Sequence, residues 1–401
     1  MVSENINKNN GENACTGLEI RVGIITDGPA KIHLSTNGFE VSNLLIGEGF
    51  HWQQTVSATF IGACENLEKP QGNIHIVNRL PLEQYLESVI ASEMNPAAPV
   101  EFMKAHAVIS RSWAMKKIMC KQQKEYKSCS ISARTSSCVK EPTPQNTPVH
   151  DITSWEESDS HMLFDVCSDD HCQRYQGVPT QSARNAIEAV KSTRGLILVD
   201  HEGEIVDARF SKCCGGRTEI FSSCWDEANR SYLISQQDPW CDLSDMPASQ
   251  REELLQSALK DYDQNTYDFH DWQTFVNKEE LRKRLKDIYN LDIGNIVSMF
   301  AKERGESGRI TRLAVIGDKG AATIGKTLAI RRLLASGCLK SSWFEFEDYN
   351  DGFTLHGHGW GHGVGLCQIG AARMAYEGKM CEEILGFYFP GTTLKSVDMQ
   401  M

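Results

Sequence analysis

The sequence predicts an α+β fold: mixed strands and helices in one large unit, with an N-terminal β-rich segment and helical insertions. Three observations lead there. Residues 16–78 carry short β-rich runs punctuated by Gly, Asn and Asp-Gly turns. At Arg79 the apolar period lengthens from about two residues to about 3.6. Beyond it, helical and strand patterns interleave irregularly with no internal repeat, which fits α+β.

Taken in order, residues 1–15 are Asn/Glu/Lys-rich and read as disordered. The runs LEIRVGIIT, AKIHLST, TVSATFIGA and GNIHIV read as strands. Leu82, Tyr85, Leu86, Val89 and Ile90 recur at helical spacing, and Asn95-Pro96 stops that helix. A second helix opens at Pro99, a residue suited to a first turn, and runs through VEFMKAHAVISRSWAMKKIM. Residues 120–160 are rich in Ser, Thr, Pro and Lys and read as an exposed loop or inserted excursion. A helix over 182–192, the strand GLILVD, a turn at Glu202-Gly203 and the strand EIVDARF follow. Residues 248–300 form a second excursion, charged and helical in period through REELLQSALKDY and KEELRKRLKDIY. The strand RITRLAVIG, the helix TLAIRRLLAS, FEFED, the glycine-rich HGHGWGHGVG and a helix from Gln368 complete the 79–395 unit.

Composition narrows the function. The 401 residues hold 41 Lys+Arg against 53 Asp+Glu, a net charge of −12, which argues against a nucleic-acid binder that must neutralise phosphates. No run of about 18 apolar residues is present, so no membrane span is expected. The polar start MVSENINKNNGENAC lacks a basic and an apolar signal region, which points to the cytoplasm. Thiols stay reduced there, so the 14 cysteines read as metal ligands or small core residues rather than disulfides.

Glu93 is the first candidate for chemistry. It lies at the end of the apolar stripe of its helix, where partial desolvation suits a carboxyl to donate a proton near neutrality; a solvated helix-end Glu is the bland alternative. Arg111 sits on the apolar line of the next helix and must meet an anion, either a structural carboxylate or a substrate group. His161, Cys167, His171 and Cys172 supply two imidazoles and two thiols, the donor set of a closed structural zinc site, with His150 an alternative to His161. Cys213-Cys214-Gly215-Gly216, with Cys224 and Cys241 downstream, reads as a second metal site, a redox pair or a place of close backbone approach. HGHGWGHGVG fails G-x-G-x-x-G in every register. Its glycines bring backbone close to something, leaving His and Trp to project toward a ligand such as a sugar ring.

Read together, RLPLEQYLESVIASEMNPAAPVEFMKAHAVISRSWAMKK, CQRYQG, AVKSTRGLILVDHEGEIVDARFSKCCGGRTE, GRITRLAVIG, LAIRRLL, LKSSWFEFE and HGHGWGHGVGLCQIGAARMAYEGKMCEEILGFYFPGTTL resemble, in order, the blocks of the SpoIID/LytB family. The resemblance implies a peptidoglycan lytic transglycosylase that cleaves the MurNAc–GlcNAc β-1,4 bond to leave a 1,6-anhydro-MurNAc end. It places the catalytic glutamate at Glu93, in SEM. It also implies a zinc held by two His and two Cys, matched by His161, Cys167, His171 and Cys172, and a groove to which Arg111, Gln173, Tyr175, Thr218, His362 and Gln368 are assigned. His106 stands where the family has Gln, Cys367 where Ser is common, and Cys213-Cys214 where a serine-rich approach is usual. Glycan strands or muropeptides are the implied ligands, with a cell-wall amidase as a partner of some relatives. Two further readings compete: a non-catalytic glycan-binding amidase enhancer, and a zinc-dependent hydrolase.

Overall fold

The computed structural model describes residues 17–26, 30–48, 52–68, 74–126, 136–139, 149–155, 161, 163–179, 183–226, 228, 230–260, 263 and 268–397. The expected disorder of residues 1–15 falls outside them. Strands β1 (Glu19–Ile24), β2 (Ile32–Ser35), β3 (Gly38–Ile46), β4 (Gln54–Ile61), β5 (Ala63–Glu68) and β6 (Ile74–Pro81) build two small antiparallel sheets. In one, β2-β3-β4 run in order; in the other, β5-β6-β1 accept a short parallel strand, Val166–Cys167, against β1. Alternate residues of β1 and β3, among them Ile20, Val22, Phe39 and Val41, point inward and are fully buried.

Helix α1 (Leu82–Glu93) leaves β6 without a loop, and its stripe of Leu82, Tyr85, Leu86, Val89 and Ile90 is 0 % exposed. α2 (Val100–Tyr126) lies against it, and α3 (Arg184–Ser192) packs Ala186, Ala189 and Val190 onto both. At roughly 25 cal/mol per Å² of buried apolar surface, this three-helix contact stabilises the helix that ends at Glu93. The C-terminal α7 (Gln368–Tyr376) and α8 (Cys381–Tyr388) return to the same core, as does α4 (Ala248–Ala258). The last strand, Thr393–Ser396, pairs with Leu196–Val199.

Residues 271–358 gather around a second core. A three-stranded sheet (Asp271–Asn277, Gly352–His358, Phe344–Tyr349) and a five-stranded sheet pack with α5 (Lys278–Tyr289) and α6 (Thr327–Leu334) around Leu281, Leu285, Leu313, Ile324, Ile330 and Phe353. Asn277 caps α5 by accepting from the amides of Glu279 and Glu280, and Asn290 ends it at φ 55°.

Three sequence readings change. The 120–160 stretch is not simply a loop: Val149–Thr153 pairs in parallel with Ala321–Gly325, and Ser136–Val139 pairs with Val149–Thr153. That strand is stabilised by a partner about 170 residues away, which local composition does not encode. The second excursion is not wholly helical either, since Asp271–Asn277 and Ile296–Arg304 are sheet strands of the second core. EIVDARF is a strand only at its end, Phe210–Ser211. Before that, Asp207 is buried against Arg209 and Arg230, so the segment follows its charges rather than a ladder.

Among the described residues no helix is long and apolar enough to cross a membrane.

Candidate functional site

Glu93 closes α1, is 5 % exposed, and faces the segment Gln173–Gly177. That segment runs along one side of α1 as a strap held at four points. Tyr85 Oη donates to Gln173 Oε1 (3.3 Å), the Arg174 amide to Glu93 Oε1 (3.0 Å), the Gln176 amide to Ser92 Oγ (3.2 Å), and Ser88 Oγ to the Gly177 carbonyl (2.5 Å). Gly177 sits at φ 91°, with the Thr59 carbonyl 2.5 Å from where a Cβ would be, so only glycine lets the strap turn there. Tyr175 Oη donates to Asn78 Oδ1, tying the strap to β6.

Charges crowd around the carboxylate. Arg174 Nε lies 3.9 Å from Glu93 Oε2, donates to Asp170 Oδ1 (2.8 Å), and its guanidinium stacks 4.4 Å over the Trp52 ring. Arg174 Nη1 also reaches Asp263 Oδ2 (3.3 Å), which accepts Lys212 Nζ at 2.7 Å. Burial pushes Asp170 up to about 7; Arg174 pulls it down, and the charges of Asp169 and Glu93 push it further up. Burial also raises Asp263, but Lys212 and Arg174 outweigh it and leave the group below the usual carboxylate range.

Next to the strap stand the four metal-type donors. His161 Nε2 and His171 Nδ1 are 3.1 Å apart; Cys172 Sγ is 3.3 Å from the first and 3.6 Å from the second, and Cys167 Sγ is 3.9 Å from His171 Nδ1. Tetrahedral zinc with bonds of about 2.0–2.3 Å needs edges of about 3.3–3.8 Å between donors, so these side chains fit the ion. His150 lies instead in the strand Val149–Thr153, opposite Ala322 and Val139. Cys172 and Arg174 are two residues apart, so whatever fixes the cysteine also fixes the amide that holds Glu93.

The remaining predicted groove residues are scattered. Gln173 and Tyr175 belong to the strap, and Gln173 Nε2 is buried with no partner among the described residues. Gln368 opens α7 and meets His106 Nε2 at 3.2 Å, beside a small crevice formed by Met94, Phe102, Lys212 and Leu259. Arg111 is not on a groove: it is 0 % exposed and clasps Glu83 through Nε–Oε1 (2.7 Å) and Nη2–Oε2 (2.9 Å). Thr218 is buried, its hydroxyl donating to the Ile234 carbonyl. His362 lies edge-on to Trp225, and burial with Arg209, Arg331 and Arg309 nearby holds it well below the ordinary histidine value, hence neutral.

The glycine-rich run also differs from its reading as a sugar platform. Gly359, Gly361, Gly363 and Gly365 all have φ between 73° and 102°, and what they approach is largely the chain's own 209–215 segment. Trp360 is buried on Phe269, and its amide and carbonyl pair with those of Cys213. Sequence reasoning misses Arg174, Lys212 and Asp263. The first two lie in family-like blocks, but single basic residues carry no spacing signal, and Asp263 falls in a segment that reads as an excursion.

Residues 70–199 match a family model described as Stage II sporulation protein, and residues 219–365 match one described as a Domain of unknown function (DUF8618). The chain is similar to Stage II sporulation protein D of Bacillus subtilis (strain 168), 27 % identical over 324 residues, 80 % of this chain and 76 % of that one. The protein of the same name from Bacillus amyloliquefaciens is 25 % identical over 326 residues, 81 % of this chain and 77 % of that one. An amidase enhancer of Bacillus subtilis (strain 168) is 24 % identical over 333 residues, 78 % of this chain but only 40 % of its own length.

Proposed function

We propose, from the match of residues 70–199 to the Stage II sporulation protein model and the similarity to Stage II sporulation protein D and an amidase enhancer, that the chain is a peptidoglycan lytic transglycosylase of the SpoIID/LytB kind, with Glu93 as general acid and then base. The observation that carries this reading is the placement of Glu93: a nearly buried carboxyl with one oxygen fixed by the Arg174 amide, at the junction of α1, the strap and the Lys212–Asp263 pair. In the proposed cycle the Glu93 carboxyl gives a proton to the glycosidic oxygen as the C1–O bond of MurNAc breaks. The carboxylate then takes the proton of the muramyl C6 hydroxyl as that oxygen bonds to C1. One carboxyl suffices, since the nucleophile is intramolecular and needs no positioned water. Arg174 and Lys212 hold the surrounding charges in place.

His161, Cys167, His171 and Cys172 would hold zinc in this reading; with all four donors protein-derived, the ion supplies rigidity rather than chemistry. The fold's 11 unpaired cysteines among the described residues suit action on muropeptides in a reducing compartment, and cell fractionation tests that placement.

A second reading, a glycan-binding amidase enhancer without catalysis, is favoured by the similarity to an amidase enhancer over 78 % of this chain. One experiment separates the two: purified protein is incubated with peptide-free glycan strands and the products are weighed. Transglycosylation yields ends about 18 Da lighter than hydrolysis, because no water is added. Glu93→Gln is expected to abolish them. Intact glycan with wild type and variant alike, alongside undiminished glycan binding, would favour the enhancer.

A further inference from the structure

Away from Glu93, buried thiols converge from three distant stretches of chain. Cys213 and Cys214 follow Phe210–Ser211, Asp238 and Cys241 share a turn, and Cys367 caps α7. All five side chains are between 0 and 1 % exposed. One donor atom from each of Cys214, Asp238, Cys241 and Cys367 lies within 4.8 Å of the others. Cys214 Sγ is 3.2 Å from Asp238 Oδ2, and Cys213 Sγ is 3.3 Å from Cys241 Sγ.

We propose that Cys214, Asp238, Cys241 and Cys367 form a second, closed metal site for a thiophilic divalent ion, with zinc the best match to the donor set. Two independent features support it. The first is convergence: a carboxyl and three sulfurs, none open to water, occupy the space of one small coordination sphere, where unpaired polar groups would be costly. The second is the pair of amides aimed at one sulfur. Cys367 Sγ accepts the amides of Cys214 (3.3 Å) and Gly370 (3.4 Å), the latter at the N-terminal turn of α7, with the Lys212 carbonyl farther off at 3.9 Å. A neutral thiol is a weak acceptor, whereas amides and a helix N-terminus stabilise thiolate ligands, the usual surroundings of a metal-bound cysteine.

Three thiolates and a carboxylate around a dication leave two negative charges. The same amides, with Tyr388 Oη (2.9 Å) and the Trp240 amide (3.1 Å) on Asp238, spread them. Loading the ion releases the ligand protons to solvent. With no open position the site is structural. It would pin segment 213–216 to the start of α7, and through the Cys213–Trp360 pairing it would fix the glycine run. It shares no residue with the His161–Cys172 cluster and stands whether or not Glu93 is catalytic.

The test is metal content of the purified, reduced full chain by plasma mass spectrometry, with zinc-edge absorption spectroscopy. Wild type is expected to hold two zinc ions. The His171→Ala/Cys172→Ser variant, which leaves the second cluster intact, should keep one, with three sulfur neighbours and one oxygen. Cys241→Ser/Cys367→Ser should keep one with two sulfurs and two nitrogens; the wild-type and His171/Cys172 results decide the matter even if this variant fails to fold. One ion in wild type and none in the His171/Cys172 variant would overturn the proposal. So would recovery of Cys213 and Cys241 as a disulfide in the protein as isolated, before reduction, with no metal on the second cluster.

Discussion

Replacing Arg111 by alanine separates a structural arginine from a glycan-binding one. The guanidinium gives two charge-assisted bonds to Glu83, at 2.7 and 2.9 Å, between α1 and α2, and one to the carbonyl of Leu196, at the start of the strand Leu196–Val199, at 3.0 Å. Arg111 has 0 % and Glu83 11 % of its side chain exposed, so solvent screening does little to weaken the pair. Removing the cation leaves a buried carboxylate without its partner, a loss of about 3–5 kcal/mol. That is a large share of the roughly 5–15 kcal/mol typical of a domain. Urea unfolding followed by far-UV circular dichroism reads the loss. A cycle with Glu83→Gln sharpens it: the double variant should lose clearly less than the two singles added together, since no charge is then stranded. If Arg111→Ala costs under about 1 kcal/mol but weakens glycan binding, the buried clasp is the wrong description and Arg111 belongs to the groove.

Three further outcomes follow from the same geometry. Burial, helped by Lys212, holds His106 down at about 3, so between about pH 6.5 and 3 the unfolded chain binds one more proton than the folded one. Stability should therefore fall with acid by about 1.4 kcal/mol per pH unit below about pH 6.5 from this group, and His106→Gln should remove that slope in paired urea titrations. Gly365→Ala should destabilise by more than about 1–3 kcal/mol, because φ is 74° and the new Cβ would sit 2.2 Å from the Arg209 carbonyl oxygen. Gly378→Ala, at φ 90° with nothing within 4 Å, should show the backbone part alone when both variants are compared by urea unfolding. With zinc on the His161–Cys172 cluster, as proposed, chelation should speed hydrogen exchange across residues 168–177 more than across the 310–317 strand, as measured by mass spectrometry; no change on chelation would count against that ion.

What is legible in the sequence is what short-range pattern encodes. The stripe of α1 is a matter of spacing, and spacing alone puts Glu93 at the buried end of a helix. The donor types of the His161–Cys172 cluster are likewise visible within 12 residues, although only the fold shows their donor atoms within 4.8 Å of one another. Arg111 is legible as an arginine in need of an anion, but nothing local distinguishes a carboxylate one helix away from a ligand. The glycine run signals close backbone approach, while its partner, the 209–215 segment, is some 150 residues distant and emerges only in the fold. The strand Val149–Thr153 escapes local reading for the same reason, since its stabilising neighbour is long-range.

The segments that read as insertions are where this matters most for the site. After Glu93, the Asn95 amide donates to the Ala258 carbonyl, and Asn95 Nδ2 donates to the Leu259 carbonyl at 3.0 Å, docking the end of α1 onto α4. Asp263, from the same charged stretch, bridges Arg174 and Lys212. The surroundings of Glu93 thus come from three separated parts of the chain: the strap beside the His/Cys cluster, the Cys213 block through Lys212, and the charged stretch through Asp263. Truncating that stretch as a dispensable excursion would remove the carboxylate shared by both cations, taking from the largely buried Lys212 its 2.7 Å partner and leaving Arg174 with Asp170 and Glu93. Asp263→Asn makes the same change with one atom type altered. It should disturb the Arg174 contacts of Glu93 and lower whatever activity depends on that carboxyl, while leaving the second core, built from residues 271–358, unfolding at its wild-type urea concentration.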